Sequence, residues 1–96
     1  MSPHLLRLDG ELTIYRAAEL KETLLAAVRE HPAVEVDLSG VTEFDTAGVQ
    51  LLLLAKREAL AAQRSLTLTR HSPAVVEVFE LLDLVGHFGD PIALSV

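Results

Sequence analysis

The residues best placed to do chemistry are Asp45-Thr46-Ala47-Gly48. They follow a strand-like run (Val34, Val36, Leu38) and a short polar loop, and they open a strongly apolar helical stretch. A threonine hydroxyl at a helix start can accept a hydrogen bond from the N2 or N3 backbone N–H, and Asp45 beside it can cap equally well. By pattern alone, capping is the commoner role for either residue. The hydroxyl could instead accept a phosphoryl group. That phosphate would face free N–H groups at the positive helix end and add about −1.5 to −2 charges beside Glu43 and Asp45. Such a change alters a binding surface more than a fold.

No catalytic partners are apparent for this hydroxyl. Asp-Thr-Ala-Gly resembles the Asp-Thr-Gly of aspartic proteases, but here Ala intervenes and a helix follows. Asp45 after a strand suggests a phospho-accepting receiver aspartate, but a receiver needs an acidic pair after its first strand and a longer doubly wound chain. His4, His31, His71 and His87 are far apart and lack metal-ligand spacing. They are expected at exposed loops or helix ends. With no Cys there is no thiolate nucleophile or disulfide framework. No Gly-rich phosphate cradle is present. The chain is therefore not expected to be an enzyme or to hold a cofactor or metal.

The elements around the site follow from periodicity. Leu6 and Leu8, then Leu12 and Ile14, alternate with polar residues on either side of Asp9-Gly10. Asp-Gly between two such runs predicts a hairpin of strands 4–8 and 11–14. From 16 to 30 the spacing is helical, with Leu20, Leu24, Ala27 and Val28 inward and Glu19, Glu22, Arg29 and Glu30 outward. Pro32 ends this helix by disfavouring the helical region at His31. Val34, Val36 and Leu38 form the next strand, and the intervening helix makes a parallel crossover plausible. Ser39-Gly40 should turn the chain.

A helix is predicted over 46–63 and a strand over 66–69. Ser72-Pro73 then supplies a cap and an N1 proline for a helix carrying Val75, Phe79 and Leu82 to about Gly86. The tail from Pro91 to Val96 reads as a last edge strand. In the helix after Thr46, Leu51 to Leu54 are successive, so at about 100° per residue they point four ways round the axis. Some must face the sheet, and the others either pack on neighbouring helices or form an apolar rim that could bind a partner or support a homodimer.

These 96 residues suit one domain. They are 50% hydrophobic and only 4% aromatic, so the core must be aliphatic. A net charge of −6 and a pI near 5.0 disfavour nucleic acid or an anionic membrane as the main partner. No targeting segment is expected at Met1-Ser2-Pro3-His4, and no apolar run approaches the roughly 20 residues of a membrane span. A cytoplasmic protein is the expectation.

The run Val36-Asp37-Leu38-Ser39-Gly40-Val41-Thr42-Glu43-Phe44-Asp45-Thr46-Ala47-Gly48 and its apolar helix closely resemble the signature of the STAS domain. That domain is shared by anti-sigma factor antagonists and the cytoplasmic tails of sulphate transporters. Asp9-Gly10-Glu11-Leu12-Thr13-Ile14 and the helix from Ala17 to Val28 resemble the family's opening, so the likeness spans residues 1–96. It implies an α/β fold, a single STAS-like domain with a four- to five-stranded mixed sheet and helices packed mainly on one face.

The resemblance also implies a bacterial, non-catalytic switch that binds a serine/threonine kinase acting as anti-sigma factor. The phosphoacceptor would be Thr46. The candidate partner-binding set is Asp37, Ser39, Glu43, Asp45, Thr46, Ala47, Gly48, Val49 and Leu52. Many phosphorylated members carry two successive hydroxyl residues after the Asp, whereas here Ala47 follows Thr46. Thr followed by a small residue is also similar to STAS subunits that brace the ATPase of lipid-transport ABC systems. STAS proteins associated with chemotaxis kinases look similar too.

Overall fold

The structure is a computed structural model that describes residues 2–82. Its elements run β1 (His4–Leu12), α1 (Ala17–Glu30), β2 (Ala33–Phe44), α2 (Thr46–Ala61), β3 (Ser65–Thr69) and α3 (Pro73–Leu81). The strands form one parallel sheet in the order β1-β2-β3. Each strand-to-strand connection carries a helix, as parallel neighbours require.

β2 is the centre of the sheet and its alternation defines the two faces. Val34, Val36 and Leu38 point into the core, joined across the sheet by Leu8 and Leu12 of β1 and by Leu66 and Leu68 of β3. All three helices add to this same cluster, α1 through Leu20, Leu24, Ala27 and Val28, α2 through Leu51, Leu52, Ala55 and Ala59, and α3 through Val75 and Phe79. A single core shared by every described element places the helices on one face of the sheet. The opposite face is polar and holds Arg7, Glu35, Asp37, Thr67 and Thr69, which fall in register across the strands.

The α1 boundaries and its inward and outward residues are as its periodicity predicts. His31 is extended (φ −130°, ψ 137°), as a residue before proline should be. Ser72 Oγ accepts from the Val75 N–H at 3.3 Å with Pro73 in the first turn, so α3 starts where expected. The expected end of this helix near Gly86 and the tail strand lie outside the described residues.

The sheet departs from expectation in two linked ways. Asp9-Gly10 does not fold back into a hairpin, and β1 continues through it to Leu12. Glu11 and Leu12 pair in parallel with Glu43 and Phe44. The register slips between Arg7 and Asp9 and again between Gly10 and Glu11, and Gly10 takes φ +77°. Its left-handed conformation, read as a turn, is used instead in an irregular stretch of strand where β2 carries the extra residues.

Correspondingly β2 does not turn at Ser39-Gly40. It runs twelve residues to Phe44 and so supplies a partner for both halves of β1. Among the described residues the sheet has three parallel strands rather than four or five mixed ones. Ile14, expected in the second hairpin strand, stands in the β1–α1 connection and is exposed.

Candidate functional site

Asp45, not Thr46, is the N-cap of α2. Asp45 is extended (φ −131°, ψ −170°), and its Oδ1 accepts from the Ala47 N–H at 2.9 Å and the Gly48 N–H at 3.3 Å. Its carbonyl accepts from the Val49 N–H at 3.1 Å. The Asp45 N–H donates to the Leu12 carbonyl at 3.4 Å, which ties the start of α2 to the end of β1. Thr46 is therefore the first helical residue. It is exposed, and its hydroxyl enters no hydrogen bond among the described residues.

The cap changes what a phosphate at Thr46 would meet. Ala47, Gly48 and Val49 already donate to Asp45. The first-turn donors expected to face a phosphate are thus engaged, and Thr46's own N–H is the one left over. A phosphate here would gain little from the helix end and would stand beside the Asp45 carboxylate. Its charge would be directed outward, at whatever binds.

Apart from Asp37 and Ser39, the other candidate residues divide into three groups. Glu43 is exposed next to the site and is the register partner of Glu11, so two carboxylates sit side by side at the strand ends. Ala47 and Gly48 are in the first turn, where Gly48 lies close under Leu12 and Phe44. Val49 and Leu52 turn inward, with Leu52 fully buried. Leu52 belongs to the core shared with the sheet, so its side chain is not presented at the surface. Of the four successive leucines, Leu51 and Leu52 are buried, while Leu53 and Leu54 are half-buried.

Asp37 and Ser39 lie elsewhere. Because β2 extends to Phe44, Asp37 precedes the strand end by a rise of up to about 23 Å. It is buried, accepts from the Ser39 N–H at 2.8 Å and faces Arg70 Nε at 3.6 Å. Burial pushes its carboxyl pKa up. The Ser39 hydroxyl and backbone N–H, then Arg70 and Arg7, together outweigh burial and hold it below its ordinary value. This is a structural ion and hydrogen-bond cluster on the polar sheet face, apart from Thr46.

Sequence reasoning did not single out the surroundings of Thr46 contributed by the β1–α1 connection. Ala17 and Ala18 of α1 face Ala47, Leu51 and Leu54 of α2 across an apolar groove of about 350 Å³ in which Lys21 is the charged residue. Ile14 and Tyr15 lead into it and are exposed. The signal available was two large apolar residues just before a helix, but the hairpin expectation assigned Ile14 to a strand.

The histidines add no chemistry at this end. His4 and His31 stack at 3.8 Å where the strands begin, opposite the Thr46 end. His71 is not exposed as expected; it is buried, with its ring edge-on to Phe79 at 5.5 Å. His87 lies outside the described residues. No group of three or more His, Cys, Asp or Glu among the described residues is placed to hold a metal ion. No helix among them is long and apolar enough to cross a membrane.

A parallel sheet covered on one face, with a capped helix opening directly after its central strand, agrees with a family match over nearly the whole chain. The family model described as "Mlab, STAS domain" matches residues 2–92, and the chain belongs to this family. Among solved structures it is similar to the anti-sigma factor antagonist SpoIIAA in its unphosphorylated form, at a TM-score of 0.72 and 24% identity, over 97% of this chain and 83% of that one. At this identity the likeness is one of fold. No curated protein matches the chain.

Proposed function

We propose that this STAS domain is a non-catalytic protein-binding switch of the anti-sigma factor antagonist type. It binds a serine/threonine kinase and is controlled by phosphorylation of Thr46. The observation that carries this reading is the division of labour at the start of α2. Asp45 satisfies the helix donors, so the exposed Thr46 hydroxyl has no structural duty there. In the transfer, Thr46 Oγ forms a bond to the γ-phosphorus of ATP. The bond to the β–γ bridging oxygen breaks, ADP leaves, and the hydroxyl proton passes to a base of the kinase. Thr46 in such a complex stands opposite the nucleotide phosphates. The phosphate it gains therefore meets like charge, and on its own side the Ala47, Gly48 and Val49 donors are already held by Asp45.

Incubation with the kinase and ATP, followed by mass spectrometric mapping, tests the reading. Modification at Thr46 is expected, with Thr46→Glu weakening the complex and Thr46→Ala preserving it. Absence of phosphate at Thr46, or equal binding by both variants, would overturn it.

A second reading is an accessory subunit that binds the ATPase of a lipid-transport ABC system. Ala47 directly after Thr46, in place of a second hydroxyl, favours it. The chain's family also carries Mlab in its description, which counts on the same side. Co-purification of an ABC ATPase in place of a kinase would select it. In both readings the protein acts by docking.

A further inference from the structure

We propose that Ile14 and Tyr15 form an apolar anchor that inserts into a hydrophobic cleft, basic at its mouth, on the protein partner docked at Thr46. This rests on the reading of the Thr46 end as a docking site and adds the residues that grip. Tyr15 is 90% exposed and Ile14 70%, and no other adjacent pair of large apolar residues before α3 is so fully displayed. They sit beside Thr46 because the Leu12 carbonyl, two residues before Ile14, accepts the Asp45 N–H. Past them, Ala17 and Ala47 line the same apolar groove between α1 and α2. Loop and groove together frame the start of α2.

The connection is built to hold this shape. Arg16 N–H donates to the Thr13 carbonyl at 3.0 Å and Ala17 N–H to the Ile14 carbonyl at 3.4 Å. Arg16 Nη1 donates back to the carbonyls of Asp9 at 2.6 Å and Glu11 at 3.1 Å, while its Nε is fixed to Glu19 at 2.7 Å. Thr13 is buried, with its hydroxyl donated to Glu11 at 3.0 Å. The backbone is thus ordered before binding, and the ordering cost that a mobile loop would incur on docking is already met. A tyrosine presented this way has the large contact area and low side-chain entropy loss of an interface anchor.

Charge decides the occupant. Glu11 and Glu43 are register partners beside the loop, and neither joins an ion pair among the described residues. The chain as a whole carries −6. An anionic lipid surface is repelled by such a rim. A second copy would bring its own acidic rim against it. A protein cleft with Lys or Arg at its mouth is complementary on both counts.

The test measures, by isothermal titration calorimetry, binding of the wild type and of Ile14→Ser, Tyr15→Ser and Leu60→Ser to two purified proteins. These are the protein kinase and the ABC ATPase encoded nearest to this chain. Leu60 is 69% exposed but lies about 21 Å along α2 from Thr46, so it serves as the distant apolar control. Both loop variants should weaken whichever complex the wild type forms by about tenfold or more, with Leu60→Ser within about twofold. All three should melt with the wild type, since the residues are exposed. Glu43→Gln should flatten the salt dependence of binding, and an unchanged slope would overturn the basic mouth.

Loop variants that bind like the wild type overturn the anchor and leave the Thr46 reading standing. If the wild type binds the ATPase and not the kinase, the kinase reading fails and the same variants on the ATPase still decide the anchor. A wild type that binds neither overturns both. Flotation of the wild type with phosphatidylcholine–phosphatidylglycerol vesicles, or a dimer dissolved by Tyr15→Ser, would also overturn it by assigning the loop a lipid or a second copy.

Discussion

A Cβ placed on Gly48 would stand 2.5 Å from the Leu12 carbonyl oxygen and 2.8 Å from the nearest atom of the Phe44 ring. The first contact is to backbone, which cannot swing aside, and the same Leu12 carbonyl receives the Asp45 N–H. Gly48→Ala gains about 1 kcal/mol of intrinsic helix propensity, but the clash must push α2 away from β1. Overpacking of this kind costs about 1–3 kcal/mol, so a net loss of stability is expected. Urea denaturation checks the sign, and a stabilised Gly48→Ala protein would show that the helix start can shift freely.

Asp45 and Thr46 are adjacent but should respond in opposite ways to truncation. Asp45→Ala removes the acceptor for two helix N–H groups and should cost about 0.5–2 kcal/mol. Thr46→Ala removes an exposed hydroxyl with no partner among the described residues and should change stability by no more than about 0.5 kcal/mol. Thermal melts of the two variants decide it. A larger loss at Thr46 would make that residue the cap and remove the argument that its hydroxyl is spare.

The helices were legible because their signals are local. The Leu20–Leu24–Val28 spacing, Pro32 after His31, and Ser72-Pro73 each act within a few residues. The sheet was legible only in part. Asp9-Gly10 signals a left-handed residue, and Gly10 is one, but whether that residue turns the chain or bulges a strand depends on whether a partner strand continues past it. That partner is Val41–Phe44, thirty residues away, and nothing near Gly10 encodes it. The same error ended β2 at Leu38 and turned the chain at Ser39-Gly40, whereas Asp37 and Ser39 entered the partner-binding set through the STAS resemblance. Leu52 was misplaced for a different reason. Four successive leucines give no amphipathic contrast, so which of them faces the sheet is settled by packing.

Leu52 and Leu54 should separate cleanly in a denaturation series. Leu52 is fully buried against the sheet, whereas Leu54 is half-buried on the groove wall. Leu52→Ala should cost about 2–5 kcal/mol, and any binding it loses will follow the loss of folded protein. Leu54→Ala should cost about 1 kcal/mol or less, because relatively little apolar area leaves the core. Comparable losses at the two positions would place Leu54 in the core and close the groove as a surface.

Asp37 should make stability fall at acid pH. Its pKa is held down in the folded protein by Ser39, Arg70 and Arg7 against the opposing effect of burial, so the unfolded chain takes up the proton more readily. The sign follows from linkage: the contribution is fully present above the unfolded carboxylate value, near about pH 4, and is lost as pH falls through the lower folded value. Asp37→Asn preserves an oxygen that can accept from the Ser39 N–H but removes the charge facing Arg70. The variant should therefore be less stable than the wild type at pH 7, and the difference in urea midpoints should close as pH falls below the unfolded carboxylate value and through the lower folded one. A gap that stays constant across this range would assign the role of Asp37 to packing and hydrogen bonding, with no part played by its charge.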